Sequence, residues 1–259
     1  MSNLALVTGA SSGIGEALAR VHAAGGGDLV LVARSAERLQ QLKAELEAAH
    51  AVQVMVICED LAVAGAASRI FQQTEAAGLK IEVLINNAGV GGHGKFHERG
   101  LEADQQMMQL NMVALAELSY YYLQGMVARG AGRILNVSST AGFLPGPLQA
   151  VYYASKAFVN SFSQALANEL RGTGVTVTAL CPGPVATGFK AAADLEGVRM
   201  MDTAVSATSV AEFGYRAMQR GELVAINQPG LRFLLRWIMP LLPRGLLLKS
   251  SRRAMEKSG

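Results

Sequence analysis

The stretch Thr8-Gly9-Ala10-Ser11-Ser12-Gly13-Ile14-Gly15 decides the fold of this chain. It follows the apolar run Leu4–Val7, which is typical of a buried strand, and apolar residues then recur at helical spacing over Gly13–Ala24. A glycine turn between a strand and a helix brings backbone N–H groups and a helix N-terminus up to a phosphate. The spacing differs from Gly-x-Gly-x-x-Gly, so the turn by itself also allows a purely structural role.

The same alternation of apolar runs and helical segments continues along the chain, which has 259 residues, 51% of them hydrophobic. Runs that are apolar throughout predict a parallel sheet covered on both faces by helices. We therefore predict one Rossmann-type, doubly wound α/β domain over residues 1–228, with residues 229–259 as a basic amphipathic helical extension. The seven predicted strands are Leu4–Val7, Leu29–Ala33, Gln53–Ile57, Val83–Asn86, Arg133–Val137, Val175–Leu180 and Leu223–Ile226.

The end of the second strand indicates which nucleotide binds. NAD sites usually place an acid here for the ribose 2′-hydroxyl, whereas an arginine accommodates a 2′-phosphate. This chain has Arg34, with Ser35 and Arg38 close by as further contacts, so we predict NADP(H). The alternative is that both arginines are solvated charges at the start of a helix.

Polar residues also follow the third and fourth strands, at the edge where doubly wound folds bind ligands. Asn87, Ala88 and Gly89 come after the fourth strand. Asp60 and Leu61 come after the third, near the expected adenine, although Asp60 also suits the N-cap of a helix.

Tyr152 and Lys156 are one helical turn apart and share a helix face. A cation about 4 Å from a phenol, at an effective dielectric near 20, contributes about 4 kcal/mol. That should lower the pKa of Tyr152 from about 10 toward neutrality, where an acid that protonates a carbonyl oxygen is most effective. The rival phenol is Tyr153, which is three residues from Lys156 rather than four and therefore points elsewhere.

Taken together, these motifs resemble the short-chain dehydrogenase/reductase family over roughly residues 3–228. The resemblance implies NAD(P)-dependent redox chemistry at a carbonyl or alcohol. It rests on the glycine turn, Asp60-Leu61, Asn86-Asn87-Ala88-Gly89, Asn111, Asn136-Val137-Ser138-Ser139, Tyr152-x-x-x-Lys156 and Pro182-Gly183-Pro184-Val185-x-Thr187.

The resemblance also implies roles for single residues. Ser139, Tyr152 and Lys156 are the expected catalytic trio, and Asn111 is the fourth member, anchoring a water in a proton path to Lys156. Ser138 is the rival hydroxyl, more suited to a structural hydrogen bond. The implied cofactor contacts are Gly9, Ser11, Ser12, Gly13, Ile14, Gly15, Arg34, Asp60, Leu61, Asn87, Ala88, Gly89, Tyr152, Lys156, Pro182, Gly183, Val185 and Thr187.

The expected substrate is a hydrophobic ketone or aldehyde, fatty-acyl, steroid-like, terpenoid or aromatic, or the corresponding alcohol. Residues 188–208 lie where family members carry a substrate lid, and they include Phe189, Leu195, Val198, Met200 and Met201. Phe143 and Leu144 follow Ser139, and Arg199 is the one arginine placed to hold a carboxylate. A non-catalytic NADP-binding sensor or scaffold on the same fold is the alternative function.

The histidines and cysteines suggest no further chemistry. His93 and His97 lie in or near a glycine-rich loop that we expect to border the pocket, and we predict no metal there. His22 and His50 are expected at the surface. Cys58 and Cys181 are expected to be buried free thiols in a reducing compartment. No signal peptide and no bilayer-length apolar run is recognisable, so we expect a cytoplasmic protein without nucleic-acid partners.

Two surfaces predict association. The helices over Gln105–Arg129 and Val151–Arg171 carry apolar residues beyond one face, such as Tyr120, Tyr121, Tyr122, Phe158 and Phe162, and the resemblance implies a homodimer or homotetramer through them. Residues 231–259 carry a net charge of +6 between apolar side chains and the single tryptophan. That composition suits peripheral membrane contact, or packing on the pocket mouth or across a dimer.

Overall fold

The computed structural model describes residues 3–198 and 203–257. Its strands are β1 (Ala5–Thr8), β2 (Leu29–Ala33), β3 (Val54–Cys58), β4 (Val83–Asn86), β5 (Gly132–Val137), β6 (Val175–Leu180), β7 (Val185–Ala186), β8 (Val205–Ser206) and β9 (Val224–Ala225). Its α-helices are α1 (Gly13–Ala24), α2 (Ala36–Ala49), α3 (Ala66–Ala76), α4 (Leu101–Met108), α5 (Ala114–Arg129), α6 (Ala150–Glu169), α7 (Phe189–Ala192), α8 (Ala207–Gln219), α9 (Pro229–Phe233) and α10 (Arg244–Met255).

Seven strands form one parallel sheet in the order β3-β2-β1-β4-β5-β6-β9, which confirms the predicted fold class. Successive residues of β1 point to opposite faces: Val7 enters the core under α1, α2 and α8, and Leu6 enters the core under α3 and α5. The strands are apolar throughout because both faces are covered. Strands β2 and β3 are added on one side of β1, and β4 and the later strands on the other side. The carboxyl ends of β1 and β4 therefore border a crevice.

The predicted element boundaries are close to those observed. The third strand lies one residue later than predicted, and the last is shortened to two residues. β7 and β8 form a separate two-stranded parallel pair that the sequence patterns did not indicate. The long helix begins at Leu101 rather than Gln105 and contains a π-helical turn over Gln109–Val113.

Two burial expectations were wrong. His22 is fully buried rather than on the surface, because its ring nitrogens bond the Tyr215 hydroxyl at 2.9 Å and the Asn3 carbonyl oxygen at 2.8 Å. That burial lowers its pKa, although the bond to Asn3 acts in the opposite direction. Cys58 is exposed at the end of the edge strand β3, whereas Cys181 is a buried free thiol as predicted.

The tyrosine run on α5 divides between core and surface. Tyr122 is buried and its hydroxyl lies 2.9 Å from that of Thr74, and Tyr121 stacks on Phe71. Tyr120 is 65% exposed. Only part of the apolar excess on this helix is therefore available for association.

Candidate active site

The glycine turn joins β1 to α1 and is shaped by close backbone contacts. Gly9 and Gly13 have φ angles of +64° and +60°, which residues other than glycine rarely adopt. A Cβ on Gly15 would overlap the Gly9 carbonyl oxygen. Ser12 precedes α1 with an extended backbone, and its side chain makes no capping hydrogen bond. The first N–H groups of α1 thus lack a side-chain cap, as an anion site requires.

Asn87 holds this turn to the neighbouring strand. Its side-chain nitrogen donates to the Thr8 carbonyl oxygen at 3.0 Å. The Thr8 hydroxyl in turn accepts from the backbone N–H groups of Asn87 and Ala88, at 2.9 and 3.0 Å. The side chain of Asn87 therefore supports the turn, which leaves the backbone of residues 87–89 lining the crevice.

Arg34 lies at the carboxyl end of β2 with its side chain 74% exposed. Its guanidinium is 4.0 Å from the Asp60 carboxylate, a separation at which an exposed pair contributes little. Ser35 accepts from the backbone N–H of Arg38 and so begins α2. An arginine this free, beside the glycine turn, fits a 2′-phosphate.

Asp60 does not cap a helix, contrary to the alternative raised from the sequence. Its carboxylate accepts from the backbone N–H of Ala62 at 2.9 Å and closes a local turn. The next helix, α3, begins only after Gly65. Leu61 is buried beside it. The other predicted contacts lie across the turn, since the Thr187 methyl approaches Gly13, and Pro182, Gly183 and Val185 follow β6.

Tyr152 and Ser139 come together at the end of β5. Ser139 begins a 3₁₀ turn over Thr140–Phe143 and accepts from the Ala141 N–H at 3.1 Å. Burial raises the pKa of Tyr152 to about 12, and the smaller effect of its hydrogen bond with Ser139 lowers it. The predicted trio is thus assembled from β5 and one face of α6.

Lys156 does not lower the pKa of Tyr152 in the way its spacing predicted. Its Nζ lies 5.9 Å from the centre of the Tyr152 ring and donates to the Val137 carbonyl oxygen at 2.9 Å. Burial lowers the pKa of Lys156 itself to about 8. The expected shift in Tyr152 was wrong because desolvation raises the pKa of the phenol and the ammonium is directed toward β5.

The two rival residues have structural partners. Ser138 donates to the Lys156 carbonyl oxygen at 3.0 Å, which fastens α6 to β5. Tyr153 is buried, its ring lies against Gly146, and it packs in the same cluster as Met255 of α10. Both side chains are therefore buried in structural contacts.

Asn111 lies in the π-helical turn and is buried. Its amide donates to the Val90 carbonyl oxygen at 2.9 Å and to the Ser155 hydroxyl at 3.0 Å, and its Oδ1 accepts from the Val90 N–H at 3.0 Å. Such turns are frequent at functional sites because they re-aim a side chain. The role of Asn111 in a proton path stays a prediction.

Sequence reasoning missed the support of the glycine-rich loop. Asp104 is buried on α4 and pairs with Arg99 at 2.9 Å, while Arg99 also donates to the His93 carbonyl oxygen at 3.0 Å. A Cβ on Gly92 would overlap the Arg99 guanidinium. No local sequence pattern predicts this pair, because only the fold brings the glycine-rich loop against α4.

His93 and His97 do not share a site. The His93 ring lies 2.8 Å from the Met255 carbonyl oxygen of α10, and His97 is exposed beside Glu98. No cluster of three metal-ligating side chains occurs within residues 3–198 and 203–257.

The wall beside Tyr152 is apolar. Phe189 lies with its ring centre 5.5 Å from that of Tyr152, and Leu144 and Leu148 pack in the same cluster. Leu195 and Val198 of the predicted lid are buried in it. The other predicted lid residues, Arg199, Met200 and Met201, lie outside the described residues.

Comparisons with known proteins show what this chain is similar to. A sequence model for short chain dehydrogenases matches residues 3–196. A very-long-chain 3-oxoacyl-CoA reductase from Homo sapiens is 36% identical over 189 residues, which is 71% of this chain and 59% of the relative. The chain therefore matches about three fifths of that relative's length.

Two further similar proteins are matched over a larger share of their own length. The ketoacyl reductase HetN of a Nostoc species is 36% identical over 207 residues, 80% of this chain and 68% of the relative. The structure of a short-chain dehydrogenase from Sphingobium yanoikuyae in complex with NADPH superposes with a TM-score of 0.82 at 31% identity, covering 93% of this chain and 96% of that one.

Proposed function

The chain belongs to the short chain dehydrogenase family, and from this premise we propose that it reduces the 3-oxo group of long-chain acyl thioesters. It is an oxidoreductase that uses NADP(H) to interconvert carbonyl and alcohol groups. A non-catalytic sensor finds no support, because the similar proteins are named reductases and dehydrogenases.

One observation carries the choice of substrate: the wall beside Tyr152 is built from the apolar side chains Phe189, Leu144 and Leu148. The names of the human and Nostoc relatives narrow the range of hydrophobic carbonyls to 3-oxoacyl groups. A long acyl chain also suits such a wall, because each buried methylene contributes about 0.8 kcal/mol.

In this proposal the protein's own residues hold the carbonyl and move the proton. NADPH, when bound, supplies the hydride. The Ser139 and Tyr152 hydroxyls hydrogen-bond the carbonyl oxygen, and Tyr152 donates its proton as negative charge develops there. The raised pKa of Tyr152 keeps the phenol protonated at neutral pH. Lys156, which the Val137 carbonyl oxygen holds and which is charged below about pH 8, contacts the bound cofactor in this proposal rather than shifting the pKa of Tyr152.

Chain length provides the test. Purified protein should oxidise NADPH with 3-oxoacyl-CoA substrates, and kcat/KM should rise by about fourfold per added methylene until the apolar wall is filled. A 3-oxosteroid and an aryl ketone are the comparison substrates, and Tyr152→Phe controls for contaminating activity. A higher kcat/KM for either comparison substrate, or no dependence on acyl length, would contradict the proposal.

Cofactor preference gives a second expectation. Arg34→Asp should weaken NADPH binding by roughly 50-fold, because it removes a charged partner of the 2′-phosphate and adds repulsion. It should improve NADH binding, since the new carboxylate accepts from the ribose 2′-hydroxyl. Fluorescence titration with both cofactors measures this, and Arg133→Asp, exposed at the start of β5 at the opposite end of the sheet, is the matched control. Equal affinity of the unmodified protein for NADPH and NADH would contradict the assignment of Arg34 to the 2′-phosphate.

We also propose that the enzyme is a homo-oligomer through α5 and α6. Tyr120 is exposed on α5, and Phe158, 38% exposed on α6, stacks on Phe162 at 5.6 Å. Phe158→Glu should lower the mass measured by light scattering, because it places a charge in an apolar contact. A single-chain mass for the unmodified protein at micromolar concentration would refute this.

A further inference from the structure

The segment after β9 exposes large apolar side chains on successive helical turns. Phe233, Trp237 and Leu241 are 60%, 64% and 82% exposed, four residues apart along α9 and the π and 3₁₀ turns that continue it. The opposite side of this segment is anchored, because Leu235 is buried in a cluster with Cys181 and Ile226. The apolar residues are therefore held outward by the packing of their own neighbours. We call residues 229–244 the docking segment.

Basic side chains accompany this apolar face. Arg232, Arg236 and Arg244 are exposed, and a groove of about 400 Å³ is lined by two of them together with Phe233, Trp237 and Pro229. In the parts of the chain that the structure describes, the ion pairs of residues 229–257 are Arg252 with Glu256 and Lys257 with Asp194. The three arginines of the docking segment thus have no carboxylate partner there.

We propose that the docking segment binds an anionic lipid bilayer, with Phe233, Trp237 and Leu241 inserted among the headgroups and the arginines on lipid phosphates. Tryptophan prefers the membrane interface, and arginine reaches phosphate while its stem covers apolar surface. Each basic residue near an anionic surface adds attraction that salt weakens. A second copy of this chain is the poorer occupant, because a two-fold contact would bring two sets of arginines without carboxylate partners into one interface.

The docking segment is also continuous with the walls of the active site. Phe143 and Leu144, which follow Ser139, pack in the same cluster as Leu235. Beyond the segment, Met255 of α10 is buried with Tyr153 and the lid residue Leu195. Binding through this face would therefore hold the cleft beside the bilayer, where apolar molecules concentrate. The membrane contact does not depend on which carbonyl the enzyme reduces.

The chain contains a single tryptophan, so Trp237 reports on the docking segment without labelling. Full-length protein should show a blue shift of its tryptophan emission with vesicles of phosphatidylcholine and phosphatidylglycerol, and should sediment with them. Vesicles of phosphatidylcholine alone should give a much smaller shift, and high salt should reverse most of the binding. Absence of both the shift and the co-sedimentation with anionic vesicles would overturn the proposal.

Variants distinguish binding through the docking segment from attraction by the overall positive charge of the protein. Arg232→Glu with Arg236→Glu should weaken partition onto anionic vesicles by roughly 30-fold or more. Phe233→Ser with Leu241→Ser keeps the tryptophan and should remove most of the blue shift. The matched control is Arg133→Glu with Arg171→Glu, both exposed outside this segment. Equal weakening in the control, or loss of oligomer mass with vesicle binding unchanged, would overturn the assignment.

Discussion

Tyr152→Phe should reduce kcat for carbonyl reduction by about 10³-fold, because it removes only the hydroxyl that donates the proton to the carbonyl oxygen. The affinity for NADPH should stay within about twofold, since the phenol hydroxyl lies beside Ser139 and away from the glycine turn. Stopped-flow kinetics and cofactor titration of the same preparation measure the two quantities separately.

Tyr153→Phe is the matched control for this expectation. Tyr153 is buried against Gly146 and packs with Met255 of α10, so its ring is part of the core. The variant should keep most of the activity and lose at most about 1 kcal/mol of stability, because the phenyl ring fills the same buried space. If Tyr153→Phe were inactive and Tyr152→Phe active, the proposed acid would be the wrong tyrosine.

Lys156→Met should abolish turnover and yet raise the free energy of unfolding by about 2 kcal/mol at pH 7. Burial lowers the pKa of Lys156 from 10.5 to about 8, so the folded state carries a poorly solvated ammonium at neutral pH. That shift corresponds to about 3 kcal/mol, of which the lost hydrogen bond to Val137 offsets about 1. Urea denaturation of cofactor-free protein measures the free energy of unfolding. An increase would show that the variant is inactive although it is folded.

The pH dependence of this difference gives an independent check. Below about pH 8 both the folded and the unfolded states hold the Lys156 proton, so the charged side chain imposes its full cost on the folded state. Between about pH 8 and 10.5 the unfolded state binds more protons, and wild-type stability therefore rises relative to Lys156→Met. A stability difference that stayed constant from pH 7 to 10 would show that burial of the ammonium is not its cause.

Local patterns predicted the parts of this protein that depend on neighbours in sequence. The glycine turn could be identified because positive φ angles and close backbone contacts demand glycine at Gly9, Gly13 and Gly15. The seven apolar runs predicted a parallel sheet, because only strands covered on both faces lack polar alternation. Tyr152 and Lys156 could be paired from the sequence, because one helical turn places both on the same side of α6.

Properties that depend on distant partners could not be predicted in this way. His22 is buried because Tyr215, 193 residues away, reaches its ring, and the Arg99–Asp104 pair matters because folding places it under the His93 loop. The pKa of Tyr152 depends on the protein packed around it, and the Val137 carbonyl oxygen decides where the Lys156 ammonium points. The sequence by itself determined which chemical groups this protein carries and the order of its strands and helices. Only the tertiary structure decided which groups are buried, because burial depends on residues far apart in the chain.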